Sequence, residues 1–387
     1  MPIKLNGSTS GYTQVNAAAV AANNTLVLPT TGTTLLSDTF TGNVALTGNA
    51  TITGNETVSG NVTVSGDLIP SSSFLRNRII NGNMQIWQRG TSATLASLGY
   101  LADRWALGQF VSTQGSQSTS VPAGFQYSLK VQRPSGATST TAIVSTQCIE
   151  SVNCYDLSSQ SVTLSFWAKA GANFSAASST LLVQVYTGTA ADQGTSYPYY
   201  SWTGVATPIS INQTITTTWT RYTVTGTFGA GVLEAMALFT YTPVGTAGAD
   251  DAFYITGVQL EVGSNATPFE RRQYGQELLL CQRYFQISAQ GYPTGTSTGS
   301  YSGVAGSTGY ISGFNFPTVM RAVPTITFYF NGTINSFRRA NNGATITFSN
   351  SSTFGANTNG GGVPVPTGNT FVIGDVYTFD FQATAEL

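Results

Sequence analysis

With 387 residues the chain is long enough for two or three domains. Only 8% of its residues are charged and the net charge is −1, which leaves no electrostatic case for nucleic acid or an anionic membrane as partner. Aromatic residues make up 11%, too many for a disordered chain, and histidine is absent, which excludes Ser-His-Asp and Cys-His catalysis.

The opening decapeptide MPIKLNGSTS lacks the basic start and apolar run of an export signal, and no apolar stretch reaches membrane-spanning length. Synthesis in a cytosol, without export by that route, is the expectation. Residues 1–40 read as a leader with a small-residue centre and one strand-like segment, Thr25–Leu28, ahead of Pro29. So few large apolar residues cannot form a core, so the leader is expected to dock on another surface.

From Thr41 the chain repeats one phrase four times: TGNVAL, TGNATI, TGNETV and SGNVTV. Apolar residues alternate with Thr, Ser and Asn, as in a strand, and each Gly-Asn pair suits a bend. Units this few cannot bury a face alone. Three chains about one axis would supply the missing neighbours, so 41–73 is predicted to be a short trimeric β-shaft; a Gly/Thr-rich linker is the plainer alternative. Glu56 occupies the position of Val44, Ala50 and Val62, which turns that position outward and directs Leu46, Ile52, Val58 and Val64 to the axis.

Residues 74–272 read as one domain of short strands: 161–170, 180–188, 219–228, 232–242 and 252–261, separated by clusters of Gly, Pro, Ser and Thr. That pattern predicts a jelly-roll β-sandwich. Ile80, Met84, Ile86 and Trp87 are expected to form its first core strand, with Arg104 and Trp105 sealing an edge. One helix is predicted within 273–286, with Leu278, Cys281 and Phe285 on one stripe. It opens a final region, 273–387, expected to be a second β-sandwich. The fold class is therefore all-β throughout.

Four stretches in this order resemble tail fibres and other virion structural proteins of tailed bacteriophages, notably cyanophages. They are GYTQVNAAAVAANNTLVLPTTGTTL, TGNATITGN, NRIINGNMQIWQRGTS with FYITGVQLEVGSNATPFERR, and ELLLCQRYFQ with FPTVMRAVPTITFY. The third looks like a carbohydrate-binding-module-like jelly roll. The resemblance implies a homotrimer in the virion, held to a tail or baseplate protein through residues 1–40 and reaching the host with its far end. It carries over no catalytic residues.

Candidate contacts follow from chemistry. Tyr197, Tyr199, Tyr200 and Trp202 place aromatic faces in one short stretch, to stack on sugars or to pack a loop. Tyr292, Tyr301 and Tyr310 stand among Gly, Ser and Thr, a paratope-like mixture or a solvated loop. Phe337, Arg338 and Arg339 fall at a predicted hairpin, where two guanidinium groups would clamp an anionic glycan or join subunits. Asp250, Asp251 and Glu261 bracket a strand and read as a solvated turn, with Ca²⁺ as the alternative; no metal or cofactor is expected. Cys148, Cys154 and Cys281 read as buried reduced thiols, with a Cys148–Cys154 pair the alternative in an oxidising medium. The scattered carboxylates argue against an enzyme. The expected function is adhesion of a tail fibre to a host surface glycan; a connecting virion protein without receptor binding, or a glycan depolymerase, are the alternatives.

Overall fold

The computed structural model describes residues 3–6, 12–15, 76–108, 111–194, 201–288, 301–304, 311–330, 333–347, 357–363, 372, 374–387. The chain falls into two compact units, Met1–Ile69 and Pro70–Leu387. In the first, β1 (Ile3–Asn6) and β2 (Tyr12–Val15) form an antiparallel pair, with Ile3 opposite Val15. The repeat 41–73, and with it Leu46, Ile52, Val58 and Val64, lies outside the described residues.

The second unit is built around a β-sandwich. Its strands are β3 (Ser92–Leu95), β4 (Gly99–Tyr100), β5 (Ala106–Leu107), β6 (Thr113–Ser118), β7 (Ser128–Gln132), β8 (Ile143–Ile149) and β9 (Ser161–Ala170). They continue with β10 (Thr180–Gly188), β11 (Ala206–Thr214), β12 (Thr220–Thr227), β13 (Glu234–Tyr241) and β14 (Ala252–Val262). Two six-stranded sheets result, one ordered β11-β10-β13-β8-β5-β4 and the other β12-β9-β14-β7-β6-β3. Every second residue faces the space between them. Leu164, Phe166 and Ala168 from β9 meet Ala235, Ala237 and Phe239 from β13, and the Phe166 and Phe239 rings pack edge-on at 5.0 Å. Each such buried side chain contributes roughly 1.5–3 kcal/mol of transfer free energy.

Residues 80–87 are not a strand. They form a turn closed by the buried Asn81, whose amide donates to the Ile86 and Asp103 carbonyls while its oxygen accepts from the Gln85 and Ile86 amides. Met84 and Ile86 are still buried, so the apolar signal was real; one side chain supplies the hydrogen bonds that a ladder would have supplied. Gly82 lies against the Val258 carbonyl, which would stand 2.1 Å from any Cβ placed there. Arg104 and Trp105 are fully buried, not at an edge.

The helix α1 (Tyr274–Gln282) is shorter than its apolar stripe suggested. Its buried residues are Glu277 and Cys281, while Phe285 belongs to the next strand, β15 (Phe285–Ile287). Glu277 accepts a hydrogen bond from the Asn81 backbone N–H and pairs with Arg272, a polar demand that periodicity does not register.

The last body holds β16 (Tyr301–Val304), β17 (Ile311–Asn315), β18 (Thr325–Phe330), β19 (Thr333–Ile334), β20 (Ser336–Arg339), β21 (Thr345–Thr347), β22 (Gly360–Val363) and β23 (Val376–Thr384). β23 is central, pairing with β15, β16, β18 and β20, and a β17–β22 ribbon lies over a core of phenylalanines. Phe314 stacks on Phe381 at 4.3 Å.

This body is keyed into the sandwich by charge. The Glu386 carboxylate pairs with Arg104 and with Arg89, and Arg104 also donates to the Cys148 carbonyl at 2.7 Å and lies 3.6 Å above the Tyr284 ring. Arg283 forks onto Glu150 at 2.7 and 2.9 Å. Cys148, Cys154 and Cys281 are free and buried, and burial pushes the Cys154 thiol up to about 12.

Candidate glycan-binding face

The two sheets differ on their outer faces. On the first, the outward residues Val144, Cys148, Met236 and Leu238 are buried beneath Trp202, with Tyr186, Val205 and Leu387 packed alongside. The protein itself covers the middle strands of that face, while Ser210 and Asn212 of β11 stay exposed toward its edge. On the second sheet, the end carrying Thr163, Gln259 and Glu261 is also closed. Glu261 accepts from the Gln259 amide and from the Thr267 amide and hydroxyl, and Gln259 holds the Glu270 amide.

The other end of the second sheet is more open, although Tyr254 in its middle is itself only 7% exposed, with Lys130, Lys169 and Trp219 against its ring. Its strand pairing fixes a row that runs across five strands. Lys169 of β9 stands opposite Tyr254 of β14, Tyr254 opposite Lys130 of β7, Lys130 opposite Ser116 of β6, and Ser116 opposite Ser92 of β3. A second row lies beside it: Gln132 opposite Gln114, and Gln114 opposite Thr94. All point outward, because their strand neighbours Ala168, Phe253, Leu129, Val131 and Ala93 face the core. At about 4.8 Å per strand, five strands span roughly 19 Å. A groove of about 420 Å³ follows Ser92, Thr94, Gln114, Ser116 and Gln132.

Ser92, Thr94, Gln114 and Ser116 make no side-chain hydrogen bond to any described residue, and all four are at least partly exposed. The Gln132 amide donates to the Ala249 carbonyl at 2.9 Å, which fixes the side chain at the groove's edge. Hydroxyls and carboxamides with free donors and acceptors are the groups that match a polyhydroxylated ligand.

The far end of the row carries charge and rings. Lys130 pairs with Asp250 at 2.8 Å, and the Tyr254 hydroxyl donates to the same carboxylate oxygen at 2.9 Å. Burial works to raise the Asp250 carboxyl, yet the hydrogen bonds from Lys130, the Ala172 amide and Tyr254 outweigh it and hold it below its usual range. The Lys169 ammonium sits 4.5 Å from the Tyr254 ring centre and 5.8 Å from that of Trp219. Trp219 packs edge-on to Tyr254 at 6.4 Å, and its indole N–H has no partner among the described residues.

The sequence-predicted contacts fare differently. Trp202 is buried and donates its indole N–H to the Gly194 carbonyl at 3.1 Å, so it packs a loop onto the first sheet's outer face. Phe337 is fully buried between Phe328 and Phe379, because the alternation of β20 turns it into the phenylalanine core. Arg339 is tied to Asp375, while Arg338 is exposed at the predicted hairpin. Tyr301 lies in β16; Tyr197, Tyr199, Tyr200, Tyr292 and Tyr310 lie outside the described residues. Asp250, Asp251 and Glu261 do not converge. Asp251 is buried against Arg133 and Ser175, and each of the three carboxylates is satisfied by its own protein donors.

No protein-family model and no curated protein matches the chain. Among solved structures, it is similar to the enzymatically active domain of a tailspike protein of bacteriophage CBA120. The identity is 16% and the TM-score 0.29, over 48% of this chain and 21% of that one. The chain thus spans about a fifth of that tailspike structure. It is also similar to a xylan-binding domain from Paenibacillus barcinonensis, with 11% identity and a TM-score of 0.29 over 49% of this chain and 96% of that one. A further likeness is to a carbohydrate-binding module in complex with β-1,4-galactotriose, with 10% identity and a TM-score of 0.27 over 49% and 99%.

Proposed function

We propose that the chain is a non-catalytic adhesin of a tailed-phage virion, a tail fibre that holds a host surface glycan on the open face of its second sheet. The observation that carries the glycan reading is the contrast between faces. The middle of one outer face is covered by Trp202 and its neighbours, whereas the other keeps Ser92, Thr94, Gln114 and Ser116 without side-chain hydrogen bonds to any described residue around a groove. A folded, polar face whose side chains are not taken up by other described residues is ready to exchange water for sugar hydroxyls at little reorganisation cost. The tail-fibre part of the reading is supported by the leader and repeat sequences and their order. Adhesion without cleavage agrees with the described carboxylates near the face: Asp250 is bound to Lys130 and Asp251 to Arg133. If three copies share one shaft, three such faces act together, and each needs only modest affinity.

A second reading places contact at the hairpin of β20 and β21, where Arg338 is exposed without a carboxylate partner among the described residues. Binding of the fluorescently labelled full-length chain to host cells and to an array of microbial surface glycans separates the two. Gln114→Ala with Gln132→Ala, and Trp219→Ala, are expected to remove binding, while Arg338→Ala leaves it intact. The reverse pattern moves the site to the hairpin, and release of oligosaccharide from a bound glycan would refute the non-catalytic reading.

A further inference from the structure

The charge on this face is placed with a direction. The chain has three lysines, and two of them, Lys130 and Lys169, stand on either side of Tyr254 in the same cross-strand row. They are not equivalent. Lys130 is neutralised by Asp250 at 2.8 Å, whereas Lys169 has no carboxylate partner among the described residues. Lys169 is also not a free surface lysine. Its ammonium lies over Tyr254 at 4.5 Å and beside Trp219 at 5.8 Å, and attraction to the ring faces holds the charge near the sheet. A charge already held in place loses little freedom on binding an anion. The opposite end of the row, from Ser116 to Ser92 with Gln114 and Gln132, carries no charge.

Resting on the reading of this face as the glycan site, we infer that the ligand is an acidic glycan, whose carboxylate or sulfate group sits at Lys169 while neutral sugar residues extend along the groove. Lys130 and Asp250 form an internally neutral pair at the Tyr254 hydroxyl, and the Asp250 carboxylate keeps a second anion off that side. The row therefore accepts one anionic group per site, and it does so at the Trp219 end. A uniformly charged polymer would have to bring further anions over a groove with no cation to receive them.

The experiment uses the full-length chain and an array on which each microbial surface polysaccharide is printed three ways: as isolated, after reduction of its carboxyl groups, and after desulfation. The glycans bound best should be acidic. Carboxyl reduction, or desulfation, should weaken their binding roughly tenfold, as for a charge-assisted hydrogen bond, and which treatment does so identifies the anion. Lys169→Met should bind the native and the treated glycan equally, while Lys169→Arg keeps the preference. Raising NaCl should narrow the difference, since contacts at an exposed site are screened over about 8 Å at physiological salt. Equal binding of native and treated glycans by the unmodified chain, or a preference that survives Lys169→Met, overturns the inference. If the Gln114→Ala, Gln132→Ala pair still abolishes binding in that case, the site reading stands and only the ligand class is wrong. If that pair binds like the parent, or if the parent binds no glycan at all, the site reading fails and the inference with it.

Discussion

Removing the Glu386 side chain should be among the most damaging single changes available in the second unit. Arg104 is 1% exposed and Glu386 7% exposed at the side chain, so both charges are out of water. The remaining contacts of Arg104 are the Cys148 carbonyl and the Tyr284 ring, and neither carries a compensating charge. Glu386→Ala leaves the guanidinium buried and unpaired, which costs about 3–5 kcal/mol. Spread over a cooperative unit of roughly 300 residues, with an unfolding entropy near 2.1 cal/mol/K per residue, 4 kcal/mol lowers Tm by about 6 °C. Replacing both partners, Arg104→Met with Glu386→Leu, removes the charges together and should cost distinctly less than Glu386→Ala alone. Urea unfolding followed by tryptophan fluorescence, with calorimetry for Tm, measures both. A loss below 1 kcal/mol for Glu386→Ala, or a double variant worse than the single one, refutes the reasoning.

The Asp103 carboxyl is pushed up to about 6, by burial first, with Arg89 and the Gln88 hydrogen bonds opposing. The folded state therefore holds this proton where the unfolded chain has lost it, so this group lowers stability as pH rises from about 4 to about 6. Asp103→Asn should flatten that part of the stability-against-pH curve, and an unchanged slope counts against the assignment. Phe337→Ala should cost about 3–5 kcal/mol by opening the phenylalanine core, whereas Arg338→Ala should stay within about 0.5 kcal/mol in the same urea titration. Equal effects would mean that β20 faces the other way. Sedimentation of the full chain should give three times 40.6 kDa, and a monomer at micromolar concentration would remove the trimeric shaft from the proposal.

The strands 161–170 and 180–188 were legible to the residue, because strict alternation of Val, Leu and Phe with polar neighbours has no other comfortable conformation. The segment 80–87 was not, since its apolar residues are buried by a turn that one asparagine holds together. Trp202 and Phe337 sit in polar surroundings along the chain and looked available; their burial is decided by which face of a distant element they meet. The open row was invisible for a related reason. Ser92, Ser116, Lys130, Tyr254 and Lys169 each read as the solvent side of an ordinary strand, and only the pairing of β3, β6, β7, β14 and β9 sets them side by side.

The position of β23 bears on how the molecule is made. This strand occupies the middle of its sheet, and the carboxylate that neutralises Arg104 follows two residues after it, 282 positions along the chain from its partner. Emerging from the ribosome, the sandwich has all its strands once β14 has appeared, but β15, β16, β18 and β20 must wait for residues 376–384. Until then they present unpaired edges, and Arg104 faces an empty socket. At the usual 5–20 residues per second that interval lasts several seconds. Closing contacts so distant in sequence is slow in itself. The last body is therefore the stage at which a chaperone would act on a newly made chain, and the stage at which crowded nascent chains would exchange strands.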